Sequence, residues 1–161
     1  MSADFLSTIL PPLAEDETYI TVGLPLVKCE PPDTYKTTSI ENIINRAKQY
    51  GMFGLDAYMA LASYGRDGGR RLDNARNLKC FWLDVDVKKP TNSYPSFEEA
   101  LSASVKFITT LSLQPTFAVS SGMGLHLYWA LTKPLPVDKW RPIAQWFKQR
   151  TLQEGLITDP T

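Results

Sequence analysis

The chain has 161 residues, 43% of them hydrophobic and 21% charged, with 17 basic and 17 acidic residues and a formal net charge of zero. That composition supplies a core without a metal or disulfide staple, and neutrality argues against binding nucleic acid through bulk charge alone. Cys29 and Cys80 lie far apart and match no zinc spacing, no apolar run reaches membrane-spanning length, and the N-terminus lacks a secretory pattern, so a reducing cytoplasm is the simplest compartment and no membrane partner is expected.

Residues 1–37 are proline-rich and short of periodicity; Tyr19–Leu26 reads as a strand and Glu30–Asp33 as a turn. Thr38 and Glu41 fit a capping box that opens a helix with Ile40, Ile43, Ile44 and Ala47 on one face, ending near Gly51. Ala57–Tyr64 fits either type of element and reads better as a strand, followed by a turn over Gly65–Gly69. The clearest strand is Cys80–Val87, aromatic and β-branched, with Cys80 a core thiol. Ser96 and Glu99 form a second capping box, before a helix with Phe97, Leu101, Val105 and Ile108 in one stripe. Thr116–Ser121 and Leu125–Leu131 read as a β-hairpin closed by the turn Ser121–Gly124. A last helix follows, with Asp138 as its N-cap, Trp140, Ile143, Ala144 and Phe147 on its buried face, and Gly155 as its stop. The fold class expected is α+β, a mixed or antiparallel sheet flanked by helices, in a single domain over 1–161.

Asp84 and Asp86 sit two apart in a strand, so both carboxylates share one face, with about 6.5 Å between their Cα atoms. Two like charges in an apolar strand repel and resist desolvation, and a hard divalent cation, Mg2+ or Mn2+, relieves both. The bland alternative is a strand that ends near Leu83 with both aspartates solvated, as the following Lys88 and Lys89 allow. In the hairpin, Gly122 and Gly124 let backbone N–H groups approach an anion, Ser120 and Ser121 add hydroxyl donors, and the chain's one histidine, His126, lies just past the turn. The alternative there is a plain hairpin with a half-buried histidine. Asp159, after Leu156–Thr158, is a third acidic candidate and equally an ordinary turn aspartate before proline. Arg66, Arg70, Arg71 and Arg76 fit nucleic-acid contacts or a solvated loop; Tyr58, Tyr64 and Tyr128 fit base stacking or core packing.

Taken in order, FWLDVDV (Phe81–Val87), SGMGLH (Ser121–His126) and LITD (Leu156–Asp159) resemble the motifs of the archaeo-eukaryotic primase superfamily, and within it the primase-polymerases of phages and mobile elements. The likeness extends to Tyr94–Leu101, Pro115-Thr116, and the run from His126 to Leu135. It implies an RRM-like catalytic core and a DNA primase or polymerase, a nucleotidyltransferase adding dNTPs or NTPs on a single-stranded DNA template. It implies catalytic roles for Asp84, Asp86, His126 and Asp159. Two Mg2+ or Mn2+ ions would be held by Asp84, Asp86 and Asp159, and the triphosphate would be met by His126 with Ser120, Ser121, Gly122 and Gly124. It also implies a helicase domain or subunit as partner, a phage or mobile-element source, and further basic and strand-forming sequence after the third motif. Two other readings stay open. One is a metal-dependent nucleotide-sugar glycosyltransferase, which shares the Asp-x-Asp strand but needs no His126. The other is a non-catalytic DNA-binding replication module, in which Asp84 and Asp86 are dispensable.

Overall fold

The computed structural model describes residues 2–25, 32–122 and 124–158. Cys29, Met123 and Asp159 therefore lie outside the described residues, as does the first half of the expected Glu30–Asp33 turn. The chain folds as α+β, with antiparallel strand pairing and four α-helices among the described residues. Its contacts divide it into two compact units: residues 1–79 with 132–137, and residues 80–131 with 138–161. None of the described helices is long and apolar enough to cross a membrane.

The first unit opens with a helix that the sequence pattern did not reveal, α1 (Ala3–Ile9), capped by Ser2 and burying Leu6 and Ile9. Strand β1 (Glu17–Pro25) pairs antiparallel with β2 (Asp33–Thr37) and β3 (Leu55–Met59), and at its start with β4 (Ala62–Gly65). The segment expected as one strand over Ala57–Tyr64 is thus the end of β3, a break, and most of β4. Helix α2 (Ile40–Met52) is capped by Ser39, whose hydroxyl accepts from the Asn42 N–H at 3.3 Å. The cap is one residue later than the Thr38 box expected, because Thr37 and Thr38 still belong to the strand and its exit.

Strand β5 (Ala75–Asp86) begins against β4 and continues into the second unit, where β7 (Gly124–Pro136) is its neighbour and β6 (Phe117–Ser120) pairs antiparallel with β7. Alternation along β5 and β7 sends Phe81, Leu83, Val85, Leu125, Leu127 and Trp129 into one core, closed by α3 (Phe97–Leu111) and α4 (Val137–Gln153). Ser96 caps α3 as expected, accepting from the Glu99 N–H at 3.2 Å.

The buried stripe of α3 is not the expected one. Phe97, Leu101 and Val105 face outward, Val105 at 53% exposure, while Ala100, Ser104, Phe107 and Ile108 face the sheet. Both stripes have helical spacing; the one with small residues lets the helix approach closely, and Ser104 Oγ satisfies itself on the Ala100 carbonyl at 2.7 Å. On α4, Phe147 is buried and Trp140 and Ala144 pack against the core, but Ile143 is exposed. The helix ends where expected: Gly155 takes φ +70° and donates to Leu152 O, and Leu156 N donates back to Thr151 O at 2.9 Å. Leu156 thereby enters the core that also holds Val87 and Tyr94.

Candidate active site

With Leu83, Val85 and Val87 in the core, strand alternation leaves Asp84 and Asp86 on the opposite face of β5, with Trp82 two residues before Asp84. On β7 the same alternation buries Leu125 and Leu127 and sets His126 and Tyr128 on that opposite face. The two strands are neighbours, so His126 Nε2 comes to 3.2 Å from Asp84 Oδ1. The contact is close enough for charge attraction but poorly aligned as a hydrogen bond, and Oδ1 remains a buried oxygen without an aligned donor. The polar contact from His126, more than its charge and that of Lys89, holds the Asp84 carboxyl below its ordinary range, against the opposing effect of burial. In return the contact with Asp84 raises His126; burial opposes it, and the Asp84 and Asp86 charges assist. The His126 and Tyr128 rings meet edge to face at 6.4 Å, and burial is the main cause that pushes the Tyr128 phenol up to about 12.

Asp86 is buried at 6% exposure, and its carboxylate pairs with the Lys89 ammonium. This partner was missed in the sequence, where Lys88 and Lys89 count only as solvating charge. Its delivery depends on a backbone reversal: Lys88 takes φ 59°, its N–H donates to Tyr94 O at 2.8 Å, and Tyr94 N–H donates to Asp86 O at 2.9 Å. Ser93 Oγ then accepts from the Lys89 N–H and donates to the Lys89 carbonyl.

The glycine turn divides by residue. Gly122 has φ +83° with open space around it, the left-handed position that a hairpin tip requires. Gly124 has a different reason: a Cβ there would lie 2.4 Å from Val85 O and 3.1 Å from Asp86 Cα. It lets β7 close against β5 beside the two aspartates. The Ser121 N–H donates to Gly124 O at 3.1 Å, so that donor closes the hairpin and is not free for an anion. Ser120 pairs with Leu125, on the helix-packed face, while Val119 pairs with His126. The register therefore sets Ser120 and His126 on opposite faces of the hairpin.

Ile157 N–H donates to Tyr94 Oη at 3.0 Å, which fastens the segment after α4 to the loop that follows Asp86. Asp159 lies outside the described residues. Among the described residues no three carboxylate, imidazole or thiol groups converge tightly enough to cage an ion. The donor set still suits magnesium or manganese, which are held by one or two carboxylates plus waters and substrate phosphates, and the unaligned Asp84 Oδ1 is a lone pair of the right kind. Arg66, Arg70, Arg71 and Arg76 are all exposed and belong to the first unit, where Arg66 and Arg76 line a cavity of about 560 Å³ together with Glu15 and Asp16. Tyr58 is exposed there, and Tyr64 is buried.

No protein-family model and no curated protein matches the chain. A solved structure does: the AEP domain of the primase-polymerase of cyanophage S-2L, with a TM-score of 0.51 and 13% sequence identity over 83% of this chain and 63% of that one. The fold is similar to that of this AEP domain. At that identity the match speaks for the fold alone, and the chain spans under two thirds of the domain it resembles.

Proposed function

We propose that this chain carries the catalytic core of a DNA primase-polymerase, joining nucleoside triphosphates on a single-stranded DNA template. The observation that carries the reading is the side-by-side placement of Asp84, Asp86 and His126 on one face of β5 and β7, within a fold shared with a primase-polymerase domain. Asp84 and Asp86, with Asp159 as the third carboxylate, would hold magnesium or manganese, which when bound supplies the charge neutralisation that a triphosphate and its leaving pyrophosphate require.

The chain's own residues do the rest. His126, whose protonated form the Asp84 contact favours, offers a donor to a phosphate oxygen. Ser121 and Gly122 at the exposed hairpin tip add a hydroxyl and a backbone N–H. Gly124 and the core residues of β5 and β7 fix the spacing of the two strands, so the site is organised before substrate arrives. A helicase domain or subunit is the partner such an enzyme would serve.

Primer synthesis and extension on a single-stranded template, with labelled nucleotides and Mg2+ or Mn2+, tests the reading. Asp84→Ala/Asp86→Ala should lower the rate by at least ~1000-fold, the scale of several kcal/mol of lost charge stabilisation. Product formation that survives the double substitution would sink the proposal.

A further inference from the structure

The pairing of Lys89 with Asp86 is costly to build. The backbone turns through left-handed conformations at Lys88 (φ 59°) and Asn92 (φ 52°), neither of them glycine, to bring the lysine back on the carboxylate three residues before it. Backbone and Ser93 hydrogen bonds then hold the loop in that shape. The result is a positive charge against Asp86, close enough to act on Asp84 and His126 as well.

The two partners differ in exposure. The Asp86 side chain is 9% exposed and cannot reach water instead, whereas the Lys89 side chain is 46% exposed and borders solvent. We infer that Lys89 is the resident counter-ion of the Asp84–Asp86 pair in the ligand-free protein, and that a divalent cation enters by displacing its ammonium from Asp86. This rests on the metal-binding part of the function proposed above. The lysine keeps the carboxylates from repelling one another while the site is empty. It also sets a threshold, because a monovalent cation or a poorly bound ion does not repay the broken pair.

The test is Mn2+ binding, measured by calorimetry and by thermal melts on the wild-type chain, Lys89→Met and Asp84→Ala/Asp86→Ala. Lys89→Met should bind Mn2+ at least about fivefold more tightly than wild type, melt lower without metal, and gain more in Tm when Mn2+ is added. The double-alanine chain should show neither effect. Equal or weaker Mn2+ affinity in Lys89→Met, or no binding by any folded variant, overturns the inference.

A second measurement needs no variant. Amine acylation of the wild-type chain, read by peptide mass spectrometry, should label Lys89 faster once Mn2+ is added, and protection of Lys89 by Mn2+ overturns displacement. The primer-extension result is separate. Extension that depends on Asp84 and Asp86 but shows no Lys89 effect removes only this inference, while Lys89-gated Mn2+ binding without extension removes only the polymerase reading.

Discussion

His126 and Asp84 favour each other's charged form, and the two shifts have opposite signs. Because His126 is raised in the folded chain, its share of stability is complete below about pH 6.5 and is lost as pH rises through the folded value. Because Asp84 is lowered, its share is present above about pH 3.9 and is lost as pH falls through the lower folded value. Both side chains are about one-third exposed, so the pair is worth no more than about 1 kcal/mol. In metal-free protein, Tm should step down as pH rises above about 6.5. His126→Gln should remove that step; identical slopes in the two proteins would show that the pair contributes nothing. At this scale the sequence was informative wherever strand alternation decides direction: Asp84 shares a face with Asp86, and His126 with Tyr128, because two-residue spacing puts them there. Lys89 was not legible, since its direction depends on the left-handed turn at Lys88, a conformation that a non-glycine residue does not advertise.

Among the elements, those with strong local signals were legible. The apolar run of β5, the Ser96 cap and the Gly155 stop all depend on neighbours in sequence. Helix α1 and strand β2 are short and owe their order to packing and pairing with distant segments, and α3 carries two apolar stripes between which only the facing sheet chooses. The hairpin glycines show the same limit. Their spacing suggested an anion-binding turn, but Gly124 is required by the backbone of another strand. Gly124→Ala should therefore cost about 3 kcal/mol as overpacking. It should also loosen the Asp84–His126 contact. Gly122→Ala, strained only by its φ, should cost about 1 kcal/mol. Chemical denaturation of the two variants checks the ranking, and equal costs would mean β5 and β7 yield easily.

For the whole molecule, neutrality sets expectations about template. A chain with 17 basic and 17 acidic residues has no excess charge to spread over a phosphate backbone, so single-stranded DNA should bind weakly and through local groups. Each cation that meets a phosphate adds about 0.7 to the steepness of log K against log salt. Fluorescence anisotropy on a chain with Arg66, Arg70, Arg71 and Arg76 all changed to Gln should show a slope shallower by that amount for every arginine in contact. An unchanged slope would release all of them from a template role.

All four tryptophans fall in the second unit: Trp82, Trp129, Trp140 and Trp146. The Trp82 and Trp140 rings stack at 5.6 Å, with Trp82 two residues from Asp84. The first unit holds tyrosines but no tryptophan. Emission excited at the red edge of the indole band is thus a private optical signal of the half that bears the carboxylates. The stacked indoles would give that half its own near-ultraviolet dichroism, so a cation added to test the proposed site would be followed by light alone, without a label and without interference from the other half.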